Sequence, residues 1–388
     1  MKGMGKGNRY GTLRTLVITG CLVIVGGLAI GVATVRAADE VTVAGQPKPR
    51  TGEITSATAQ QVVLKDRNAT EPVIVKTGDV VEIRWDKEPS QLSSVRSAIK
   101  RGDWESAHTT IHRMTIPDSA RKELRAEMEF LRAYTAGRVA LTTGQLTAIP
   151  RGGTEPVTLG GTAAFSEAGN RMNRFLRQYP DTWRTFQATM TLAELLAAAG
   201  RYQNAQNFYQ KAADQATNSE GKIRSTFQLA RLQAISGKDA EAMKRFDAIL
   251  ALKDTKSVEI RSMKLQSQLG RARLLVSTNP DESLAVAARL LDEATKEDSE
   301  IPEAERASVL AQSWLIRGLV LESRGNSQDA TFAFLRVDVM YPEDRFAHAE
   351  ALSHLVILLE KSKRLERAAE MRRTLLARYP DTPWAPRP

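Results

Sequence analysis

Beyond Pro89 the chain repeats itself, and a self-similar helical pattern leaves few folds open to it. In Leu192-Ala193-x-x-Leu196-x-x-x-Gly200-x-Tyr202-x-x-Ala205-x-x-x-Tyr209-x-x-Ala212, apolar and small residues recur as two antiparallel helices around a tight glycine turn require. Leu229-Ala230, Gly237, Ala242, Phe246 and Ile249 repeat the order one unit later. The clearest copy runs Trp314-x-x-x-Gly318-x-x-Leu321-x-x-x-Gly325-x-x-x-x-Ala330-x-x-x-Phe334-x-x-Val337-x-x-x-x-Pro342. Unit ends echo one another as Tyr179-Pro180-Asp181-Thr182, Tyr341-Pro342-Glu343-Asp344 and Tyr379-Pro380-Asp381-Thr382. Each proline falls where a helix must stop, since it has no amide proton to donate. Small residues at Ala193, Ala205, Gly318 and Ala330 let facing helices approach closely, and Phe246 and Phe334 fill the space toward the next pair.

These residues resemble the tetratricopeptide repeat family, whose pattern places Trp, a Leu-Gly or Leu-Ala pair, an aromatic, Gly, Ala, Phe, Ala and Pro in this order. The likeness extends with gaps over most of residues 89–388. Ala205 to Ala242 is 37 residues and Ala330 to Ala368 is 38, so the connections exceed the family's repeat of about 34. Degenerate pairs are expected near Ser94 to Met114, Val258 to Ala294 and Ala349 to Tyr379, roughly six hairpins in all. The expected fold is mainly α, an α-solenoid of helix-turn-helix repeats.

A small β unit is expected to precede it, over residues 41–86. From Gly52 to Trp85 the pattern has period two, in four short β-branched runs around Ile54, Val62, Val73 and Val80. Four such strands bury little area alone, so they are expected to pack on the helices or on a partner, as a structural cap. Residues 142–162 break the helical rhythm with Gly144, Pro150, Gly152, Gly153, Pro156, Gly160 and Gly161. That stretch reads as a disordered insertion within the repeat domain, or as a loop closing over a partner.

The first residues set the expected compartment. Lys2, Lys6, Arg9 and Arg14 precede an uncharged run from Leu16 to Val35, and Val35-Arg36-Ala37-Ala38-Asp39 offers a signal-peptidase site after Ala37. Residues 1–37 are therefore expected to be a signal peptide. The alternative is an uncleaved inner-membrane anchor through residues 16–35, since about 20 apolar residues span a bilayer core. Either way the remainder is exported, to the periplasm or beyond. The formal charge of +10 shrinks once Lys2, Lys6, Arg9, Arg14 and Arg36 are set aside, leaving 50 bases against 45 acids. With acids interleaved, no nucleic-acid partner is expected. The single cysteine, Cys21, lies in the apolar run, so packing rather than disulfides must hold the fold.

Catalytic patterns fail their structural requirements. Ser97-x-x-Lys100 and Lys76-Thr77-Gly78 match boxes of penicillin-binding enzymes in reversed order, without Ser-Asp-Asn. No nucleophile elbow, phosphate loop or zinc helix is present. His108 and His112, one helical turn apart, have no third ligand fixed by spacing. No catalytic residue, cofactor or metal is expected, and the chain reads as a non-enzyme.

Stacked hairpins curl so that the first helix of each lines a concave face. The residues expected to point inward and contact a partner are Gln187, Met190, Glu194, Arg224, Phe227 and Arg231, with Ala197 and Ala234 beside them. Met190 and Phe227 would be apolar anchors and the arginines would select acids. Some family members clasp a C-terminal carboxylate with Lys and Asn, but Met190, Glu194 and Gln228 stand at those positions. The resemblance implies a protein-binding scaffold of the bacterial cell envelope, holding a partner peptide or helix. A polysaccharide-binding protein using Trp183, Trp314 and Trp384, and an enzyme with a site outside known motifs, are the alternatives.

Overall fold

The computed structural model describes residues 38–66, 70–148, 155–253, 257–380 and 382–385. The expected leader, residues 1–37, lies outside the described residues, as does the centre of the glycine-rich insertion at 149–154. Among the described residues no helix is long and apolar enough to cross a membrane.

The chain begins with β1 (Asp39–Val43), β2 (Arg50–Ala57), β3 (Gln61–Asp66), β4 (Val73–Lys76) and β5 (Val80–Arg84), with a 3-10 turn at Thr77–Asp79. They form one antiparallel sheet in the order β4-β3-β2-β1-β5. The sequence suggested four strands and missed β1, which lies between β2 and β5 and pairs Val41 with Ile83. Alternation decides the buried face: Val41, Ile54, Val62, Leu64, Val75 and Ile83 point one way and are 0–7% exposed. That face shares a core with Leu92, Val95, Ile111, Met128, Phe130, Met172 and Leu192 from the helices. The sheet has no separate interior and is stabilised by the helices it covers.

Fourteen helices follow among the described residues, and they pair into seven hairpins. The first three pairs are α1 (Gln91–Lys100) with α2 (Trp104–Arg113), α3 (Lys122–Thr143) with α4 (Gly161–Gln178), and α5 (Thr185–Ala198) with α6 (Tyr202–Gln215). Then come α7 (Ser219–Ile235) with α8 (Asp239–Leu250), and α9 (Val258–Leu274) with α10 (Pro280–Thr295). The last are α11 (Glu303–Ser323) with α12 (Ser327–Met340), and α13 (Arg345–Lys361) with α14 (Leu365–Arg378). The mainly α solenoid with a leading sheet is therefore the observed fold, and it holds one hairpin more than the sequence suggested. The additional pair is α3 with α4.

That pair carries the glycine-rich stretch, whose described sides are ordered, while its centre lies outside the described residues. Its two sides form β6 (Gln145–Ala148) and β7 (Val157–Gly160), an antiparallel ladder. Leu146 on β6 is 1% exposed and packs with Ala136, Ala140, Ala164, Phe165 and Leu195. Burying one leucine against alanine-rich helix faces docks the ladder on its own hairpin.

Five of the hairpins turn in the same way. The first helix ends in a left-handed residue, at Gly102, Gly200, Gly237, Gly325 or Lys363, with φ between 58° and 78°. In each, that residue's amide donates three residues back and the next amide donates five back, as in Gly200 N to Ala197 O and Arg201 N to Leu196 O. This satisfies carbonyls that the helix end would leave unpaired, and it favours glycine because a Cβ crowds the left-handed region. Close approach between helices requires glycine at two further positions: a Cβ on Gly270 would lie 2.5 Å from the Phe246 ring, and one on Gly318 would lie 2.5 Å from the Phe334 ring.

Candidate functional site

The first helices α7, α9, α11 and α13 line a concave cavity of about 680 Å³. Two smaller cavities continue it. One of about 290 Å³ shares Gln228, Arg231, Ile235, Arg345 and Phe346 with the first. The other, about 390 Å³, shares Arg138 and Glu194 with that second cavity and reaches the 3-10 turn and β5 of the sheet. Together they make one groove from the sheet to the last hairpin.

Its sheet end is tied down across a long sequence separation. Gly78 N donates to Thr217 Oγ1 at 2.6 Å, and Asn218 Nδ2 donates to Gly78 O at 2.6 Å and to Asp79 Oδ1 at 3.2 Å. Ala59 N donates to Asp181 Oδ1 at 2.7 Å. The sheet therefore spans from the first hairpin to the loop before α7 and forms a wall of the groove.

Buried ion pairs fix the helices behind that wall. Arg184 Nε and Nη2 donate to both oxygens of Glu127, at 3.1 and 2.7 Å, and the guanidinium lies over Trp183 at 3.7 Å and Phe130 at 4.8 Å. Glu127 is 1% exposed, so this fork supplies the partner its charge needs. Asp39, 2% exposed, accepts from Ile54 N and Asp86 N and from Arg121 Nη1, while Arg121 Nη2 donates to Ile54 O. The sheet is thereby bound to the start of α3.

Every residue expected to face a partner borders the groove. Gln187, Met190, Glu194 and Arg224 line the sheet-end cavity, Phe227 lines the largest, and Arg231 borders two. Met190 and Phe227 do not project as anchors, however: they are 6% and 4% exposed. Met190 packs with Ala193, Tyr209 and Leu229, and Phe227 packs with Ala230, Phe246 and Ile260. They form the floor, because the small residues that bring the helices together also close over their side chains.

The polar residues are largely bonded to one another. Gln187 accepts from Arg184 at 2.7 Å, and Arg224 pairs with Glu259. Glu194 pairs with Arg138 at 3.3 Å. Burial pushes the Glu194 carboxyl up, against the pull of Arg138 and then Arg224. Burial also raises the Tyr209 phenol, and the Glu194 charge adds to this. Farther along, Arg273 donates to Glu350, Ser262 to Glu305 at 2.7 Å, and Ser308 to Asp344 at 2.6 Å.

Exposed aromatic surface at the groove comes from the far end of the chain. Phe346, at the start of α13, is 40% exposed, and its ring lies 6.2 Å from Trp384, edge to face. Both border the largest cavity, as do Gln228 and Arg231. Sequence reasoning missed Phe346, whose Arg345-Phe346 step directly follows the Tyr341-Pro342-Glu343-Asp344 boundary and so opens a first helix. Of the tryptophans weighed for sugar binding, Trp183 is 7% exposed beneath Arg184 in the lining of the sheet-end cavity, Trp314 packs in a core cluster under Arg317 and Arg336, and Trp384 borders the largest cavity.

His108 and His112 lie ring to ring at 4.0 Å, and His108 Nδ1 is 3.3 Å from Thr135 Oγ1. Burial holds His108 down to about 4, and the neighbouring His112 and Arg171 act in the same direction. Among the described residues no group of three potential metal ligands is brought together.

No protein-family model matches the chain, and no curated protein matches it. Among solved structures, it is similar to the apo form of RapI, with 11% identity and a TM-score of 0.44 over 76% of each chain. It is likewise similar to the apo form of the quorum sensor NprR from B. thuringiensis, with 13% identity and a TM-score of 0.40 over 76% of each chain. A tetratricopeptide repeat protein from Parabacteroides merdae shares 13% identity at a TM-score of 0.38, over 65% of this chain and 79% of that one.

Proposed function

We propose that this chain is a non-catalytic scaffold of the bacterial cell envelope that holds a peptide segment or helix of a partner protein in its groove. One observation carries the binding half of this reading. The groove is built on successive first helices, its polar groups are fixed by mutual hydrogen bonds, and it presents Phe346 and Trp384 at one margin. A preorganised, partly apolar trough of this kind takes a ligand at little ordering cost. The envelope half rests on the basic start and the apolar run Leu16 to Val35.

The test is capture of partners from an envelope fraction by the full chain and by the double variant Phe346→Glu/Gln228→Glu. Both positions are accessible, so the variant should melt with the parent while losing the partner. An unchanged set of recovered proteins sinks the groove reading. Fractionation with protease protection checks the location separately: a cytoplasmic chain overturns the envelope assignment and leaves the groove reading standing.

A further inference from the structure

The groove's arginines are not equivalent. Arg138, Arg184, Arg224 and Arg273 each reach a carboxylate, of Glu194, Glu127, Glu259 and Glu350 respectively. Arg231 borders the same groove and has no carboxylate partner among the described residues. Its Nη1 donates to Gln228 Oε1 at 3.4 Å, a long bond. A guanidinium carries five donors in a fixed fork, so most of its capacity is unspent within the chain.

Its place is nonetheless fixed. The guanidinium carbon lies 5.8 Å from the centroid of Phe227 on its own helix and 5.1 Å from that of Phe346 on α13. Aromatic contacts hold an arginine by its faces and leave the in-plane N–H groups for a ligand. Phe346 continues into Trp384, so a charged fork and an apolar shelf stand side by side. The acids in the groove have donors of their own: Glu305 accepts from Ser262, and Asp344 accepts from Ser308 and Gln312. These hydroxyl and amide donors leave the negative charge of Glu305 and Asp344 in place. A run of acids would be repelled there, whereas one acid at Arg231 would not.

We propose that Arg231 is the anion subsite of this groove and receives the side-chain carboxylate of a single Asp or Glu within the bound peptide, beside an apolar residue seated on Phe346 and Trp384. This rests on the groove reading above. The ligand carboxylate takes two parallel N–H bonds from the fork, the geometry that distinguishes arginine from lysine as a carboxylate receptor.

The experiment selects random peptides, fused at both ends so that none carries a free C-terminus, on the full chain and on its Arg231→Met and Arg231→Glu variants. Wild type should enrich Asp or Glu at one fixed position, with a large apolar residue within two positions of it. Arg231→Met should lose that preference and Arg231→Glu should replace it with Lys or Arg. A synthetic peptide of the consensus should bind Arg231→Met about 10- to 100-fold more weakly, the range of a charged hydrogen bond. Changing the acid to its amide should cost the same factor in wild type and nothing further in Arg231→Met. Melting curves matching wild type establish that the variants are folded.

Peptides that lose binding on Phe346→Glu but carry no fixed acid overturn this assignment and leave the groove reading intact. Enrichment only from a parallel library with free C-termini overturns the side-chain carboxylate in favour of a terminal one. A wild-type selection that enriches nothing overturns both readings.

Discussion

The two ends of the groove are held by different chemistry. At the sheet end, Asp39 with Arg121 and Glu127 with Arg184 bury charge behind the wall. At the far end, α11 to α14 pack Leu315, Phe334, Leu355 and Leu359 around Ala311, Ala330 and Ala351, and the buried Glu350 of α13 meets Arg273 of α9 outside that apolar cluster. Paired buried charges tolerate little displacement, since each oxygen and N–H must be met. Alanine-cushioned apolar packing depends on volume instead. The sheet end is thus specified mainly by direction and the α11–α14 cluster mainly by size, which predicts that they fail in different ways.

The largest effect should come from Arg184→Met, which leaves Glu127 charged and enclosed. Breaking such a pair costs about 3–5 kcal/mol, to be read by chemical denaturation. A loss below about 1 kcal/mol would show the pair to be dispensable and erase the contrast. The Met190→Glu substitution belongs to the same end and should likewise unfold the chain, because it places a carboxylate in the floor rather than in the groove.

At the far end, Gly318→Ala should cost about 1–3 kcal/mol by overpacking against Phe334. Adding Phe334→Leu should recover part of it; no recovery would place the strain elsewhere.

Acid should distinguish the ends as well. His108 sits at the sheet end with its folded value pulled down to about 4 from an ordinary 6.5. The unfolded chain then binds the proton first, so stability is full above about 6.5 and falls as pH drops toward about 4. Replacing His108 with Gln should flatten the stability slope in that window, and an unaltered slope would exclude this histidine as its source.

The smallest effect is expected at Lys363, the non-glycine member of the five matching turns, with φ 58°. Lys363→Gly should stabilise by about 1 kcal/mol, the cost of a side chain in the left-handed region. An unchanged melt would mean that the last hairpin's turn is not strained.

Much of the solenoid was legible because its determinants are local. Gly200, Gly237 and Gly325 sit at turns, and Ala205, Ala242 and Ala330 sit at crossings, so a spacing rule finds both. The α3–α4 pair was not legible, since the β6–β7 ladder separates its helices and no single glycine turn joins them. Strand β1 escaped because five residues of alternation directly after an apolar run give too short a pattern to register. The groove's positions on α5 and α7 could be assigned by helical face alone. What they contribute could not, because burial of Met190 and Phe227 depends on how closely neighbouring hairpins approach. Nor could Phe346 be placed beside Arg231: that contact joins residues 115 apart, and it arises from curvature accumulated over the intervening hairpins.

Asp39 bears on the proposed removal of residues 1–37. It stands two residues past Ala37, the expected cut, and opens a strand flanked on both sides by others. A chain trimmed after Ala37 keeps this carboxylate, whereas one trimmed two residues later loses it and leaves Arg121 without its acid at the sheet. Under the proposed export route, the accuracy of the processing protease would be a folding requirement, with a tolerance of a single peptide bond beyond the expected site.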